Sequence, residues 1–300
     1  MQVPAPFTYE RAGSVDEALS LLGRYGPEAR LVAGGHSLLP MMKLRLARPE
    51  ALVDINGLAE LDYIRVDGDH LAIGAMTRHA AVLESPLLGE HYRIFAEAER
   101  VIADPLVRNR GTVGGSLCQA DPSEDLSAVF AALRGEVVIR STTGVRRVPL
   151  REFHVGPYET AVGDGEILVE VRVPIRTSVG SAYEKVERRA GDWSIAAAGA
   201  FAVLDGDRIS DVGLGITAVG AEHFTCLEAE TALVGARPED EVIDAAAAIC
   251  ASSCNPTVDQ RGPEDYKRHL VSVLVGRALR RSIAAARVGS GRGETRGVEG

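Results

Sequence analysis

The stretch Val107-Arg-Asn-Arg-Gly-Thr-Val-Gly-Gly-Ser-Leu-Cys-Gln-Ala-Asp-Pro-Ser-Glu-Asp-Leu126 places glycines and hydroxyl residues ahead of an apolar helical pattern. The stretch contains three glycines, Gly111, Gly114 and Gly115. A glycine has no Cβ atom, so the backbone there can turn sharply or approach a ligand closely. A glycine turn that exposes backbone N–H groups can receive phosphate oxygens. Taken alone, such a run is more often an ordinary turn than a binding site.

A second stretch of the same character strengthens the phosphate interpretation. Residues 31–40 read Leu-Val-Ala-Gly-Gly-His-Ser-Leu-Leu-Pro, which predicts a strand, a turn on Gly34 and Gly35, and a short apolar segment ending near Leu46. Two such turns in one domain could face a single pyrophosphate from two sides. Neither is a Gly-x-Gly-x-x-Gly fingerprint, and the sequence has no Gly-x4-Gly-Lys-Ser/Thr motif. A nicotinamide-type Rossmann domain and a P-loop NTPase are therefore disfavoured.

Composition narrows the class of protein. The 300 residues ordinarily make two domains, and the net charge of −9 argues against nucleic acid or an anionic membrane as partner. We find no apolar run approaching the ~20 residues of a membrane span and no signal-peptide pattern, so we expect a cytoplasmic protein without integral membrane association. The four cysteines have no spacing for an iron–sulfur cluster and are expected to be reduced thiols: Cys118, Cys226, Cys250 and Cys254. Cys250 and Cys254 lie one helical turn apart, which could suggest a metal site, but no other Cys or His clusters with them, and ordinary buried cysteines are favoured.

The hydrophobic pattern predicts an α+β chain with strands followed by helices. It also predicts a hairpin of residues 63–66 and 70–73 across the turn Asp67-Gly68-Asp69, and a meander of strands over Ser181–Arg189, Ala197–Leu204 and Ile209–Val219. Predicted helices follow a Ser14-x-x-Glu17 capping box, an N-cap at Thr77 and an N-cap at Ser123, and cover Glu90–Ile102, Leu227–Leu233, Pro238–Ser252 and Pro263–Ala286. In the Ser123 helix the apolar residues would share one face: Leu126, Val129, Phe130 and Leu133. On the helix over 90–102, the charged residues are expected to form a solvated face: Glu97, Glu99 and Arg100. We predict domains over residues 1–176 and 177–287 and a disordered tail over 288–300.

The two glycine turns, in this order and at this separation, resemble the flavoprotein subunits of molybdenum hydroxylases. The resemblance is closest to medium chains of the carbon monoxide dehydrogenase type, which are related to the flavin domain of xanthine dehydrogenase. It extends to about Arg287 and is carried by five ordered segments: Ala33–Ala47, Val107–Gly115, Asp121-Pro122 with Asp125, Gly165–Leu168, and Tyr183–Trp193.

The resemblance implies a fold, a cofactor and partners. The fold would be a two-part FAD-binding domain of the vanillyl-alcohol-oxidase-like (PCMH) type, followed by a smaller C-terminal α+β domain. FAD would be bound noncovalently. Molybdopterin and iron–sulfur clusters would be carried only by partner chains, a large molybdopterin subunit and a small iron–sulfur subunit. The flavin would accept electrons from the clusters and pass them to an external acceptor such as a quinone, NAD or oxygen.

The resemblance also implies a set of cofactor-binding residues, and it implies neither catalytic nor metal-binding residues in this chain. The cofactor-binding residues are Leu31, Val32, Ala33, Gly34, Gly35, His36, Ser37, Leu38, Thr112, Val113, Gly114, Gly115, Ser116, Asp125, Leu168 and Lys185. The four paired glycines would bring backbone N–H groups onto the FAD pyrophosphate.

Several of these residues keep a second interpretation. Leu168 is a contact to the adenine end or a core residue, and Asp125 is a cofactor contact or a first-turn helix carboxylate. Lys185, one of only three lysines, lies beside the flavin and stabilises its anionic reduced form, or makes a surface ion pair. Trp193 lies near the flavin or is a buried anchor. Arg108 and Arg110 contact a partner chain or brace the loop.

Two other functions remain open at this stage. A stand-alone FAD-dependent oxidase or dehydrogenase of a small organic substrate would need a substrate pocket with a base or arginines in the second domain, and none stands out. A binding module that has lost flavin is disfavoured by the intact glycine turns.

Overall fold

The computed structural model describes residues 3–293, and the side chains of residues 3–288 within that range. Its strands are β1 Thr8–Arg11, β2 Ala29–Val32, β3 Ala51–Asp54, β4 Ile64–Asp67, β5 His70–Gly74, β6 Glu136–Ser141, β7 Gly144–Pro149, β8 His154–Gly156, β9 Glu159–Thr160, β10 Ile167–Pro174, β11 Val179–Val186, β12 Ala196–Asp205 and β13 Arg208–Thr217. Its α-helices are α1 Val15–Tyr25, α2 Leu38–Lys43, α3 His79–Glu84, α4 Pro86–His91, α5 Arg93–Val101, α6 Pro105–Arg108, α7 Val113–Gln119, α8 Asp125–Ala132, α9 Leu150–Phe153, α10 Leu227–Leu233, α11 Asp240–Ser253 and α12 Glu264–Gly293.

The chain divides into two compact units, each drawn from separate segments. The first comprises residues up to 81, 104–120 and 136–172, and the second comprises residues 82–103, 121–135 and 173 onward. The boundary predicted at residues 176–177 stays a prediction. Of the predicted tail, residues 288–293 belong to α12, and residues 294–300 lie outside the described part of the chain.

The first unit contains a parallel sheet in the order β1-β3-β2, and α1 connects its two outer strands. Ser14 begins α1 as predicted, since its Oγ accepts a hydrogen bond from the Glu17 N–H at 3.1 Å. The buried residues of α1 recur at helical spacing: Val15, Ala18, Leu19 and Leu22. This apolar face packs with the buried residues of β3, and β2 of the same sheet leads directly into the first glycine turn.

A five-stranded sheet in the order β4-β5-β10-β6-β7 and the short β8-β9 pair complete the strands of the first unit. The predicted hairpin is the antiparallel β4-β5 pair. Thr77 does not begin the following helix as predicted. Its hydroxyl instead donates to the Tyr63 carbonyl at 2.9 Å, and α3 begins at His79.

The second unit is built on the predicted antiparallel meander β11-β12-β13. On one side its core includes buried residues of α10, α11 and α12. Helix α8 lies directly against β13, because a Cβ atom at Gly215 would come 1.8 Å from the Ala128 carbonyl oxygen. Glycine is therefore required in β13 at this crossing.

Helix α8 differs from its prediction in two respects. Glu124, not Ser123, is the N-cap, and its carboxylate accepts from the N–H groups of Leu126 and Ser127 at 2.9 and 2.5 Å. Every residue of α8 is buried, so the helix has no solvated face. The sequence alone could not decide which of the adjacent residues Ser123 and Glu124 caps the helix. It also did not show that β13 covers the helix.

The helix predicted over 90–102 is interrupted at Tyr92. Tyr92 is fully buried with an extended backbone, and its hydroxyl donates to the Pro174 carbonyl at 2.5 Å, so α4 ends before it and α5 begins after it. The predicted solvated face holds only for Arg100, which is exposed. Glu99 is fully buried, and Glu97 accepts from the Tyr183 N–H at 2.9 Å and pairs with Arg281.

Cys250 and Cys254 are buried as predicted, Cys226 is also buried, and Cys118 is exposed. Across residues 3–293 no helix combines the length and apolar character needed to cross a membrane. Within the same residues, His, Cys, Asp and Glu side chains form no group of three that could hold a metal ion.

Candidate cofactor-binding site

The first glycine turn joins β2 to α2 and presents unpaired backbone donors. Gly35 has a φ of 79°, a left-handed conformation that favours glycine, and its carbonyl accepts from the Leu39 N–H at 3.0 Å. In the part of the chain that the structure describes, the N–H groups of residues 34–37 have no hydrogen-bond acceptor. These residues are half-buried or exposed, so an anion can reach the four donors. The flanking residues of the predicted set are Leu31, Val32, Ala33 and Leu38.

The second glycine stretch is the start of helix α7, not a turn. Thr112 is the N-cap, and its Oγ1 accepts from the Gly115 N–H at 3.1 Å. The N–H groups of Val113, Gly114 and Ser116 donate to the carbonyls of residues 77, 75 and 112 at 2.9 Å each. The N–H groups of Gly114 and Gly115 already have protein acceptors, and their contact with the FAD pyrophosphate stays a prediction.

The two stretches nevertheless come together, as their shared pattern suggested. A Cβ atom at Gly34 would lie 2.4 Å from the Arg110 carbonyl oxygen, and one at Gly115 would lie 3.8 Å from the Ala33 Cβ. A Cβ atom at Gly114 would meet Ala75 at 2.7 Å. The glycines of α7 therefore serve close packing beside the first turn, and the free donors belong to the first turn.

A polar bridge between the two stretches was missed by the sequence reasoning. Asn56 donates through Nδ2 to the Ala33 carbonyl at 2.5 Å, while its Oδ1 accepts from Arg78 at 3.0 Å. Arg78 also donates to the Arg110 carbonyl. No motif marks Asn56 or Arg78. Arg110 was predicted either to contact a partner chain or to brace the loop, and the sequence did not identify Asn56 as its neighbour.

Leu168 lies on β10 in the first unit, with 4% of its surface exposed, and pairs with Ile139 of β6. Its burial agrees with the core interpretation, and a contact to adenine stays a prediction.

In the second unit, the structure places Asp125 and Lys185 in one buried network. The Lys185 Nζ lies 3.0 Å from Asp125 Oδ2 and 2.9 Å from the Val101 carbonyl, and the lysine side chain is 2% exposed. Asp125 Oδ1 accepts from the hydroxyls of Tyr183 and Ser194 at 2.6 and 2.9 Å. The surface-ion-pair interpretation of Lys185 is therefore wrong, and its role beside the flavin stays a prediction.

Lys185 has a second acidic neighbour. Glu187 Oε2 lies 3.3 Å from the Lys185 Nζ, so two carboxylates face one ammonium group. Burial, followed by the Asp125 charge, raises the pKa of Tyr183 well above its ordinary value, so its hydroxyl stays a donor. Trp193 is 44% exposed, which excludes the buried-anchor interpretation and leaves flavin contact as a prediction.

Family models match nearly the whole chain. Residues 5–176 match the FAD binding domain in molybdopterin dehydrogenase, and residues 181–282 match the CO dehydrogenase flavoprotein C-terminal domain.

Individual relatives give the same result. The chain is 40% identical to the carbon monoxide dehydrogenase medium chain of Hydrogenophaga pseudoflava, over 92% of this chain and 97% of that one. It is 35% identical to the glyceraldehyde dehydrogenase medium chain of Sulfolobus acidocaldarius, over 92% and 98% of the two chains. A solved structure of the Hydrogenophaga pseudoflava carbon monoxide dehydrogenase superimposes with a TM-score of 0.91 at 41% identity, covering 94% of this chain and 99% of that chain. The predicted fold class is confirmed by these matches.

Proposed function

The chain belongs to the FAD-binding medium subunits of molybdenum hydroxylases, and we propose that it passes electrons from iron–sulfur clusters in a partner chain to an external acceptor. FAD is the cofactor of this family's first domain, and the chain is an oxidoreductase subunit. Noncovalent attachment of FAD, the identity of the contacting residues and a cytoplasmic location belong to the proposal.

The observation that carries the proposal is the first glycine turn with its four unpaired N–H groups. A diphosphate needs several donors that converge without bulky side chains, and a turn of this kind supplies them. Gly34 leaves no room for a side chain between the turn and residues 110–111. The residues present therefore fit the diphosphate of FAD.

Each group of residues has a distinct task in this proposal. The N–H groups of residues 34–37 hold the diphosphate, with the His36 and Ser37 side chains as further donors. Thr112 fixes the start of α7 and keeps its glycines packed beside the turn. Leu168 is buried in β10 and would support the adenine end as part of the core. FAD itself, when bound, supplies the ability to accept two electrons and release them again.

Partner subunits follow from the same proposal. The named relatives are medium chains of dehydrogenases that differ in substrate, carbon monoxide in one case and glyceraldehyde in another. We infer a small iron–sulfur subunit as electron donor and a large molybdopterin subunit that holds the organic substrate. The protein then contributes cofactor orientation and electronic environment, not acid–base catalysis.

Co-expression with the genomic neighbours tests the proposal. The chain should co-elute with two partners in a complex that contains flavin, iron and molybdenum. Acid precipitation should release yellow flavin into the supernatant, and colour in the pellet would contradict noncovalent attachment. An isolated chain that oxidises an organic substrate at enzymatic rates would favour the stand-alone oxidase instead.

A further inference from the structure

Two arginines of the first unit converge on one neutral acceptor. The Nη2 atoms of Arg78 and Arg110 lie 3.0 and 3.5 Å from Asn56 Oδ1. Among the residues that the structure describes, no carboxylate lies within 4.0 Å of either guanidinium group. Two positive charges therefore meet without a counter-charge in contact, although acidic residues outnumber basic ones in the chain as a whole, 42 to 33.

The two guanidinium groups repel each other and lack a neutralising anion. Burial, followed by the Arg110 charge, lowers the pKa of Arg78, while Asp62 and Asp54 oppose that shift from farther away. A partly desolvated cation beside a like charge is destabilised until an anion reaches it. Planar guanidinium groups are well suited to phosphate oxygens, because their N–H donors form a rigid fork.

The position of the cluster indicates which anion it receives. Arg78 Nη1 donates to the Arg110 carbonyl, the same oxygen that a Cβ atom at Gly34 would meet. Asn56 Nδ2 donates to the carbonyl of Ala33, the residue directly before Gly34, and also lies 2.8 Å from Asp54 Oδ1. The guanidinium pair thus lies next to the turn whose N–H groups have no acceptor.

We propose that Asn56, Arg78 and Arg110 form a cationic diphosphate-recognition element, in which Asn56 holds the two guanidinium groups beside the diphosphate of FAD. This inference rests on the proposed binding of FAD by the first glycine turn. Asn56 is a positioning residue: it ties both arginines to the backbone of the turn and contributes no charge itself.

Arg110→Gln is the primary variant, because Arg110 is exposed and its loss should leave the fold intact. FAD affinity would be measured on the full chain by flavin fluorescence at low and high salt, with ADP and adenosine as competitors. We expect the Kd for FAD and ADP to rise about tenfold, the usual scale for one charge-assisted hydrogen bond. The salt dependence of log Kd should also become shallower, an effect that a purely structural role would not produce. Adenosine, which lacks phosphate, should compete equally with both proteins.

Arg78→Gln should weaken FAD and ADP in the same way, and Arg78→Lys should restore much of the salt dependence because it keeps the charge. Arg24→Gln is the matched control, since this arginine of the first unit is 68% exposed and has Glu10 as its charge partner at 3.9 Å. Failure of the unaltered chain to bind FAD would overturn the proposed function. If the wild-type chain binds FAD but the Arg78→Gln and Arg110→Gln proteins have the same Kd and the same salt dependence, only this inference is overturned. Equal effects of Arg24→Gln and Arg110→Gln would also overturn it, as a general effect of net charge.

Discussion

Lys185 and Asp125 form an ion pair that is closed off from solvent, with 3.0 Å between Nζ and Oδ2 and side-chain exposures of 2% and 6%. Sixty residues separate them in sequence, and they come together because β11 of the meander passes the start of α8. Both Asp125 oxygens are engaged, one by Lys185 and the other by Tyr183 and Ser194. The pair therefore contributes to the integrity of the second unit whatever its effect on the flavin.

Lys185→Met should destabilise the protein by about 3–5 kcal/mol, because it leaves the buried carboxylate of Asp125 and the half-buried carboxylate of Glu187 without their cation. Urea denaturation of the two proteins measures the difference in the free energy of unfolding. Lys43→Met is the control: Lys43 is exposed, so its substitution should change that free energy by less than about 0.5 kcal/mol. Equal stability of the Lys185→Met and Lys43→Met proteins would contradict a structural role for the pair.

Local sequence patterns predict the parts of the fold that depend on residues close together in the sequence. The Ser14 cap, the β4-β5 hairpin and the β11-β12-β13 meander lie where sequence predicts them, since each is specified by a few adjacent residues. The contact between the two glycine stretches was also predictable, because both have the same unusual composition.

Features that depend on contacts between residues far apart in the sequence could not be predicted in this way. Tyr92 breaks a helical pattern because its hydroxyl reaches Pro174, 82 residues away. Lys185 looks like a surface residue among Glu184 and Glu187 until α8 supplies Asp125. Asn56 carries no motif, and its importance comes only from the backbone carbonyls and arginines that surround it in the folded chain.

Gly34→Ala should lose bound flavin and destabilise the first unit by about 1–3 kcal/mol. The new Cβ would lie 2.4 Å from the Arg110 carbonyl oxygen and 2.8 Å from the Gly111 Cα, and both are backbone atoms that move only if the two stretches separate. Flavin absorbance per chain and the thermal unfolding midpoint are the measurements. Gly23→Ala, in α1, meets nothing within 4 Å and should instead be neutral or slightly stabilising. A Gly34→Ala protein with full flavin content would rule out the close approach that we describe.

Thr112→Val should cost about 0.5–2 kcal/mol, because it removes the oxygen that accepts from the Gly115 N–H while keeping the side-chain shape. Thr112→Ser keeps the acceptor and should retain most of the stability. Chemical denaturation of both variants measures the loss of the cap. If the valine and serine proteins were equally stable, the cap would have no energetic role.

His154 should make stability depend on pH in the mildly acidic range. Its Nε2 lies 3.2 Å from the carbonyl oxygen of Leu117 in α7, and burial lowers its pKa from 6.5 to about 4, although the hydrogen bond opposes that shift. Between these two values the unfolded chain binds a proton that the folded chain does not. The stability contributed by this residue is therefore fully present above about pH 6.5 and is lost as the pH falls toward 4.

His154→Gln tests this dependence, because glutamine does not titrate and its amide can still donate to Leu117. From about pH 7 to about pH 4.5 the wild-type protein should lose roughly 2 kcal/mol more than the variant. Carboxylates that titrate over the same range are common to both proteins and cancel in the difference. His223→Gln is the control for loss of an exposed imidazole, since 47% of the His223 side chain is exposed. Wild-type and His154→Gln curves of the same slope would mean that His154 is protonated in the folded protein as readily as in the unfolded chain, and that burial beside α7 does not control its charge.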